Sequence, residues 1–239
     1  MSHIFISDLH LEEGRPEITD AFLHFLQNTA AQSEQFYILG DFFEVWLGDD
    51  HVSPFNDTII NALAALTMPR FIMHGNRDFL IGSRFCEQTG FTLLADPSSL
   101  QIYDQPVLLM HGDSLCTGDQ EYMKVRRTAR DPSFQRQLLA KSIEERAAFA
   151  SHARGKSKQH TRETAMDIMD VTPSEVTRHM QNHDVSLFIH GHTHRPAIHE
   201  VSDEAGALLG QRVVLGDWDK QGWYFEISEN EFELRAFDI

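Results

Sequence analysis

Cysteine is nearly missing from this chain: Cys86 and Cys116 are the whole complement in 239 residues. They are too few and too far apart for a zinc knuckle or a CxxC redox pair, so two reduced, mostly buried thiols are expected. No apolar run reaches the ~20 residues needed to span a bilayer. The opening MSHIFISDLH has neither a basic n-region nor a long apolar h-region, so a secretory signal is not expected and the cytoplasm is. Internal repeats, low-complexity tracts and flexible linkers are missing too. Positive charge is scarce: 20 Lys and Arg against 36 Asp and Glu give a net charge of −16. Such a chain is a poor general binder of nucleic acid, and no nucleic-acid partner is expected. Nothing in the sequence marks a protein partner.

The shortage of cations is uneven. Between Lys124 and Arg162 there are eleven Lys or Arg against three acids (Asp131, Glu144, Glu145), a local +8 that leaves −24 for the rest. A block this asymmetric points to a local anionic partner; the plain alternative is a solvated helical face.

The apolar fraction, 41%, is that of an ordinary globular protein. Ile4–Ile6, Phe36–Leu39, Phe71–Met73 and Val107–Met110 read as buried strands. Ile18–Phe25 and Ile59–Leu66 carry helical apolar spacing between them. This βαβα rhythm predicts a layered α/β sheet. From about residue 119 to 182 strand signals stop. Phe134, Leu138, Leu139 and Ile143 recur at helical spacing, and Pro132 and Pro173 each fit a helix start, which predicts a helical insertion or cap. Strands return at Leu187–Ile189, Arg212–Leu215, Trp223–Ile227 and Phe232–Phe237. The whole, 1–239, reads as one domain.

Five polar clusters each follow directly on an apolar strand: Ser7-Asp8-Leu9-His10, Gly40-Asp41, Gly75-Asn76-Arg77-Asp78, His111-Gly112-Asp113 and Gly191-His192-Thr193-His194. In open α/β sheets, sites form at the carboxyl ends of strands. Asp8, His10, Asp41, Asn76, His111, His192 and His194 would then meet at one edge. Imidazole and carboxylate together suit borderline divalent metals, and these groups exceed what one ion needs. Two ions need a bridging ligand, which one carboxylate such as Asp41 can supply. Taken singly, Asp8 could be a turn residue, His10 a surface histidine and Asn76 an Asx turn. Taken together and in this order they are not a coincidence of composition.

The series DxH, GD, GNRD, HGD and GHTH resembles the signature of the calcineurin-like metallophosphoesterases. It spans residues 8 to 194. The flanking segments SDLHL, YILGDFFEVWLGDD, HGNRDFLIG, LLMHGDSLCT, IMDV, IHGHTHRPA and VVLGDWD resemble one branch, the UDP-2,3-diacylglucosamine diphosphatases of lipid A biosynthesis. The resemblance implies an α/β sandwich of two β-sheets flanked by helices. It implies one metal on Asp8, His10, Asp41 and His194, and a second on Asp41, Asn76, His111 and His192. It implies two Mn²⁺ per chain, although residue chemistry alone would not separate manganese from iron, cobalt or zinc. Substrate contacts would fall on Asn76, Arg77, Asp119, Ser157, Thr161, Thr164 and His192. The family carries Lys at the position of Thr164, so Arg162 or Lys158 is a substitute source of that charge.

The implied reaction releases UMP and 2,3-diacylglucosamine 1-phosphate by attack of a metal-bridging hydroxide on the uridine-side phosphorus. Asp41, His192 and Arg77 would carry it. Arg77 suits charge stabilisation on phosphoryl oxygens because its guanidinium forks onto phosphate; its alternative role is an ion pair with Asp78. Asp113 and Asp217 are expected to orient ligand histidines. The implied partners are the UDP-linked diacylated glucosamine and the anionic surface of the inner membrane, met peripherally from the cytoplasmic face. Two other readings stand beside this one. One is another dinuclear metallophosphoesterase, such as a nucleotide phosphatase, phosphodiesterase or nuclease. The other is a binding scaffold on the same fold.

Overall fold

The computed structural model describes residues 2–163 and 168–239, without the side chains of residues 158 and 161–163. Among the described residues, eleven strands form two mixed sheets. The first sheet has the order β11-β10-β1-β2-β3-β4. Its members are β1 (Ser2–Ile6), β2 (Gln35–Ile38), β3 (Arg70–Met73), β4 (Phe91–Leu94), β10 (Gln221–Ser228) and β11 (Phe232–Asp238). β1 to β4 run parallel, and β10 and β11 add antiparallel strands beside β1. The second sheet has the order β5-β6-β7-β9-β8. Its members are β5 (Ser98–Ile102), β6 (Gln105–Leu109), β7 (Leu187–His190), β8 (Ala197–Ser202) and β9 (Leu208–Val214). Here β6, β7 and β9 are parallel and the two edge strands antiparallel.

Alternation along each strand decides what it packs on. Phe5, Tyr37, Leu39 and Met73 face Val107, Leu109, Leu187, Ile189 and Val213, which closes a core between the two sheets. Ile4, Ile6 and Ile38 point the other way. They bury against α1 (Pro16–Asn28), α2 (Pro54–Ala64) and α3 (Ser83–Thr89) through Phe22, Leu63 and Phe85. The second sheet turns Leu108 and Phe188 onto Val176 and Met180 of α7 (Pro173–His183). Both thiols are free, with Cys116 buried and Cys86 half-buried.

The insertion between β6 and β7 is helical, with α4 (Gln120–Ala129), α5 (Pro132–Leu139) and α6 (Ile143–Glu163) ahead of α7. Pro132 and Pro173 do open helices. Asp131 caps α5 by accepting from the amides of Ser133 and Phe134. The basic block is not simply a solvated face, however. Arg126 and Arg130 approach Asp113 at 2.9 and 3.6 Å. Arg146 is buried on Asp50 at 2.5 Å, and Arg154 pairs with Glu44. Four of the cations counted in the sequence therefore pin the insertion to the sandwich. Arg127, Arg136, Lys141 and Lys156 remain on its exposed surface. No helix among the described residues is long and apolar enough to cross a membrane.

Candidate metal centre

Each polar cluster begins where a parallel strand stops: β1 runs into Asp8 and His10, β2 into Asp41, β3 into Asn76, β6 into His111, and β7 into His192 and His194. The backbone there is unusual. Asp8, His10, Asp41, His192 and His194 have φ of 57°, 51°, 49°, 67° and 54°. Left-handed backbone costs an L-residue about 1–2 kcal/mol, so five such residues in one place mark a region shaped for something other than stability. The strand ends also interlock. The Asp8 amide donates to the Gly40 carbonyl at 3.1 Å and the His10 amide to the Asp41 carbonyl at 3.0 Å. A Cβ on Gly75 would overlap the Asp41 amide and Oδ1, and one on Gly191 would overlap Asp8 Oδ2 and Ser7 Oγ. Only glycine permits these approaches.

Two clusters of metal-binding type result. Asp8, His10 and His194 form one, and Asp41, His111 and His192 the other, with donor atoms within 4.8 Å of one another in each. Asp41 faces both: its Oδ2 lies 4.0 Å from His10 Nε2 and its Oδ1 3.7 Å from His111 Nε2. Asn76 Oδ1 stands 3.1 Å from His111 Nε2.

The outward nitrogen faces an oxygen in three of the four histidines. His111 Nδ1 donates to the Leu39 carbonyl at 2.8 Å. His10 Nδ1 lies 2.8 Å from Glu44 Oε2, and His194 Nδ1 lies 3.4 Å from Asp217 Oδ2. For His111 the carbonyl assigns the proton to Nδ1 and leaves a lone pair on Nε2 pointing inward. The His111 lone pair then meets the Asn76 oxygen, acceptor against acceptor. His10 Nε2 and His194 Nε2 stand 3.4 Å apart, and His194 Nε2 lies 3.3 Å from Asp8 Oδ1. Asp8 Oδ2 accepts from Ser7 Oγ and the His192 amide, while its buried Oδ1 faces His194 Nε2 and, among the described residues, has no well-aligned donor. Divalent cations resolve this crowding of lone pairs, and the mixed N/O donor set suits them.

The charges respond in opposite directions. Burial opposes ionisation of Asp8, yet His194, His111 and His10 hold its carboxyl well below the usual range. Burial, against His111 and His10, pushes the Asp41 carboxyl up. Burial and neighbouring His111 bring His192 down to about 3. Against the effect of burial, Asp217 and Asp8 raise His194 to about 10. Groups this perturbed and this close belong to a functional site.

The family model of the calcineurin-like phosphoesterases matches residues 1–196, a stretch that contains every residue of both clusters. The chain belongs to this family. A Pseudomonas fluorescens (strain SBW25) protein named UDP-2,3-diacylglucosamine hydrolase is 53% identical over 239 residues, covering 99% of this chain and 95% of its own length. A protein of the same name from Ectopseudomonas mendocina (strain ymp) is 52% identical, covering 99% of this chain and 98% of its own. The chain is thus a phosphoesterase of the hydrolase branch that its flanking segments resemble. Its structure also aligns with a phosphoesterase from E. coli over 100% of both chains, at 14% identity and a TM-score of 0.46.

Around the clusters, the phosphoesterase assigns other roles than sequence alone gave. Asp78 does not pair with Arg77; its buried carboxylate accepts from the amides of Gly75 (2.7 Å) and Phe42 (2.8 Å), tying two ligand loops together. The Arg77 amide donates to Asp41 Oδ1 at 2.8 Å, and its buried Nε has no hydrogen-bond partner among the described residues. Asp113 was expected to orient a histidine. For His111 the Leu39 carbonyl does so instead, and Asp113 accepts from Tyr122 Oη at 3.0 Å and Arg126 Nε at 2.9 Å. Asp217 does stand behind His194. Asp119 caps α4 through the Tyr122 amide and lies 2.7 Å from His160 Nε2. Ser157 is exposed on α6. Thr164, and the side chains of Lys158, Thr161 and Arg162, lie outside the described residues. Sequence reasoning gave no role to Glu44 or Tyr122. The available signal was an acid set inside the aromatic run Phe42-Phe43-Glu44-Val45-Trp46, where burial demands a partner.

Proposed function

We propose that this phosphoesterase hydrolyses the pyrophosphate of UDP-2,3-diacylglucosamine, giving UMP and 2,3-diacylglucosamine 1-phosphate, with two Mn²⁺ as its cofactor. The carrying observation is the pair of N/O clusters joined by Asp41 beside Arg77, in a chain that matches hydrolases of that name along its length. Asp8, His10, Asp41 and His194 would hold one ion, and Asp41, Asn76, His111 and His192 the other. The ions supply Lewis-acid polarisation, an acidified water and neutralisation of phosphoryl charge.

The chain's own residues do the rest. Asp41 fixes the distance between the two sites, because both of its oxygens are engaged. Arg77 is held by its amide on Asp41, which leaves its guanidinium to bind the equatorial phosphoryl oxygens. Asn76 and His192 line the same edge, and Asp119, Ser157, Thr161 and Thr164 extend the substrate contacts into the insertion. Water attacks the phosphorus bonded to uridine, and the sugar phosphate leaves. That leaving oxygen is far less basic than an alkoxide, so no strong general acid is required. The diacyl chains hold the substrate in the bilayer, since each exposed CH₂ costs about 0.8 kcal/mol. The exposed cations and apolar side chains of the insertion therefore meet the anionic cytoplasmic face of the inner membrane.

Turnover of UDP-2,3-diacylglucosamine compared with UDP-sugars lacking acyl chains tests the reading. Strong preference for the acylated substrate is expected, with label from heavy-oxygen water appearing in UMP. Equal turnover of the unacylated sugars would favour a general nucleotide phosphoesterase, and label confined to the sugar phosphate would reverse the direction of attack.

A further inference from the structure

Glu44 lies three residues beyond Asp41, in the segment that follows β2, and is half buried. One of its oxygens, Oε2, is 2.8 Å from His10 Nδ1. The other, Oε1, is taken by the guanidinium of Arg154 on α6, 110 residues further along the chain. A single carboxylate thus touches an imidazole of the first cluster and a cation of the insertion. Its main chain is fixed as well: the Glu44 amide donates to the Leu11 carbonyl at 3.1 Å, and the Leu11 amide to the Phe42 carbonyl at 2.9 Å.

An imidazole can offer Nε2 to an ion only if its proton stays on Nδ1 and its ring is aimed. Three of the four cluster histidines are supported in different ways. His111 leans on a backbone carbonyl, which the sheet holds. His194 leans on Asp217, at the longer distance of 3.4 Å. His10 leans on a side chain that is itself held from the other side by α6. Without Arg154, the Glu44 side chain gains rotamer freedom and the His10 ring loses a fixed acceptor.

We propose that Glu44 is a positioning residue for His10, and that Arg154 makes its grip depend on the docking of the helical insertion. Metal affinity at the Asp8–His10–His194 cluster then responds to the Glu44–Arg154 link, whereas affinity at the Asp41–Asn76–His111–His192 cluster, which meets the insertion through Tyr122 instead, does not respond to that link. This inference rests on the two-ion reading above. It deepens that reading by joining α6 of the insertion to one ion through a single carboxylate.

The test is a Mn²⁺ titration of metal-free protein, with free Mn²⁺ counted by electron paramagnetic resonance. Wild type is expected to take up two ions per chain. Glu44→Ala is expected to weaken one of them by about 10–100-fold and leave the other unchanged, the range seen when such an outer partner is lost. Glu44→Gln is expected to restore most of that affinity, because its amide oxygen can still face Nδ1. Arg154→Ala is expected to weaken the same ion by a smaller factor. A merely structural role for Glu44 would move both ions alike and would not be rescued by Gln; that outcome, or wild-type binding of both ions by Glu44→Ala, overturns the inference. If Glu44→Ala fails to fold by circular dichroism, Glu44→Gln and Arg154→Ala decide. Unchanged binding in Arg154→Ala removes the link to the insertion. Wild type that binds no Mn²⁺ or other divalent ion would instead overturn the two-ion reading itself.

Discussion

Arg77 and Asp41 are bonded to each other yet should fail differently. Asp41 faces both clusters, so Asp41→Ala is expected to abolish binding of both ions and, with it, turnover. Arg77 contributes only its amide to that carboxylate, and alanine keeps the amide. Arg77→Ala is therefore expected to retain both ions by metal analysis while losing roughly 10²–10³ in turnover, the usual cost of one charge-stabilising donor. Near wild-type turnover would remove Arg77 from the chemistry. A second expectation concerns Asp96, whose buried oxygens accept no hydrogen bond among the described residues and lie 3.7 Å from the Arg126 guanidinium at the nearest. Burial, with Asp113 beside it, pushes its carboxyl up to about 6, above the 3.8 of an exposed aspartate. Between those values the folded chain holds more protons than the unfolded one, so stability is lost as pH rises through the window, by about 3 kcal/mol in all. Asp96→Asn should abolish that loss. Denaturant unfolding is expected to show the variant more stable than wild type at pH 8, with a smaller advantage at pH 5; an equal difference at both would refute the assignment. At this scale the candidate ligands were legible because residue type and order carry the chemistry. The left-handed φ of Asp8, His10, Asp41, His192 and His194 was not, since nothing in local propensity forces an Asp or His there. Glu44 and Tyr122 were not legible either, because their partners lie in distant segments.

The strands that deliver the ligands, β1, β2, β3, β6 and β7, were readable as continuous apolar runs, as strands covered on both faces must be. β5 and β8 were not, and both are edge strands, where polar residues such as Ser99, Gln101, His199 and Glu200 face outward and erase the pattern. The helices of the insertion were readable from Pro132, Pro173 and apolar spacing. Their electrostatics were not, because charge counts carry no pairing: Arg126, Arg130, Arg146 and Arg154 turn out to be anchors. The proposed membrane attraction would therefore come from the cations left outside. Replacing Arg127, Arg136, Lys141 and Lys156 by Gln is expected to reduce co-sedimentation with anionic vesicles at low salt, at on the order of 1 kcal/mol for each cation near the surface. High salt should weaken wild type in the same way. If wild type stays in the supernatant at low salt, the insertion does not serve as a membrane-docking surface.

Both clusters draw on both sheets. Asp8, His10, Asp41 and Asn76 stand at the ends of first-sheet strands, and His111, His192 and His194 at the ends of second-sheet strands. Bound ions should thus stabilise the molecule as a whole. An ion present at 100 times its dissociation constant adds about 2.7 kcal/mol if the unfolded chain does not bind it. For a chain of this size each kcal/mol moves the melting temperature by roughly 2–4 °C. Excess chelator is expected to lower the melting temperature by about 5–10 °C per ion, and calorimetry without any such shift would argue against ions that bridge the sheets. The core that holds Phe5, Tyr37 and Met73 against Leu109, Ile189 and Val213 acquires a second meaning here. It acts as a gauge block. Divalent ions differ in preferred bond length by only a few tenths of an ångström, so the spacing of closely packed layers bears on which ion fits. A substitution such as Leu109→Ala, touching no ligand, would then surface as altered choice among ions.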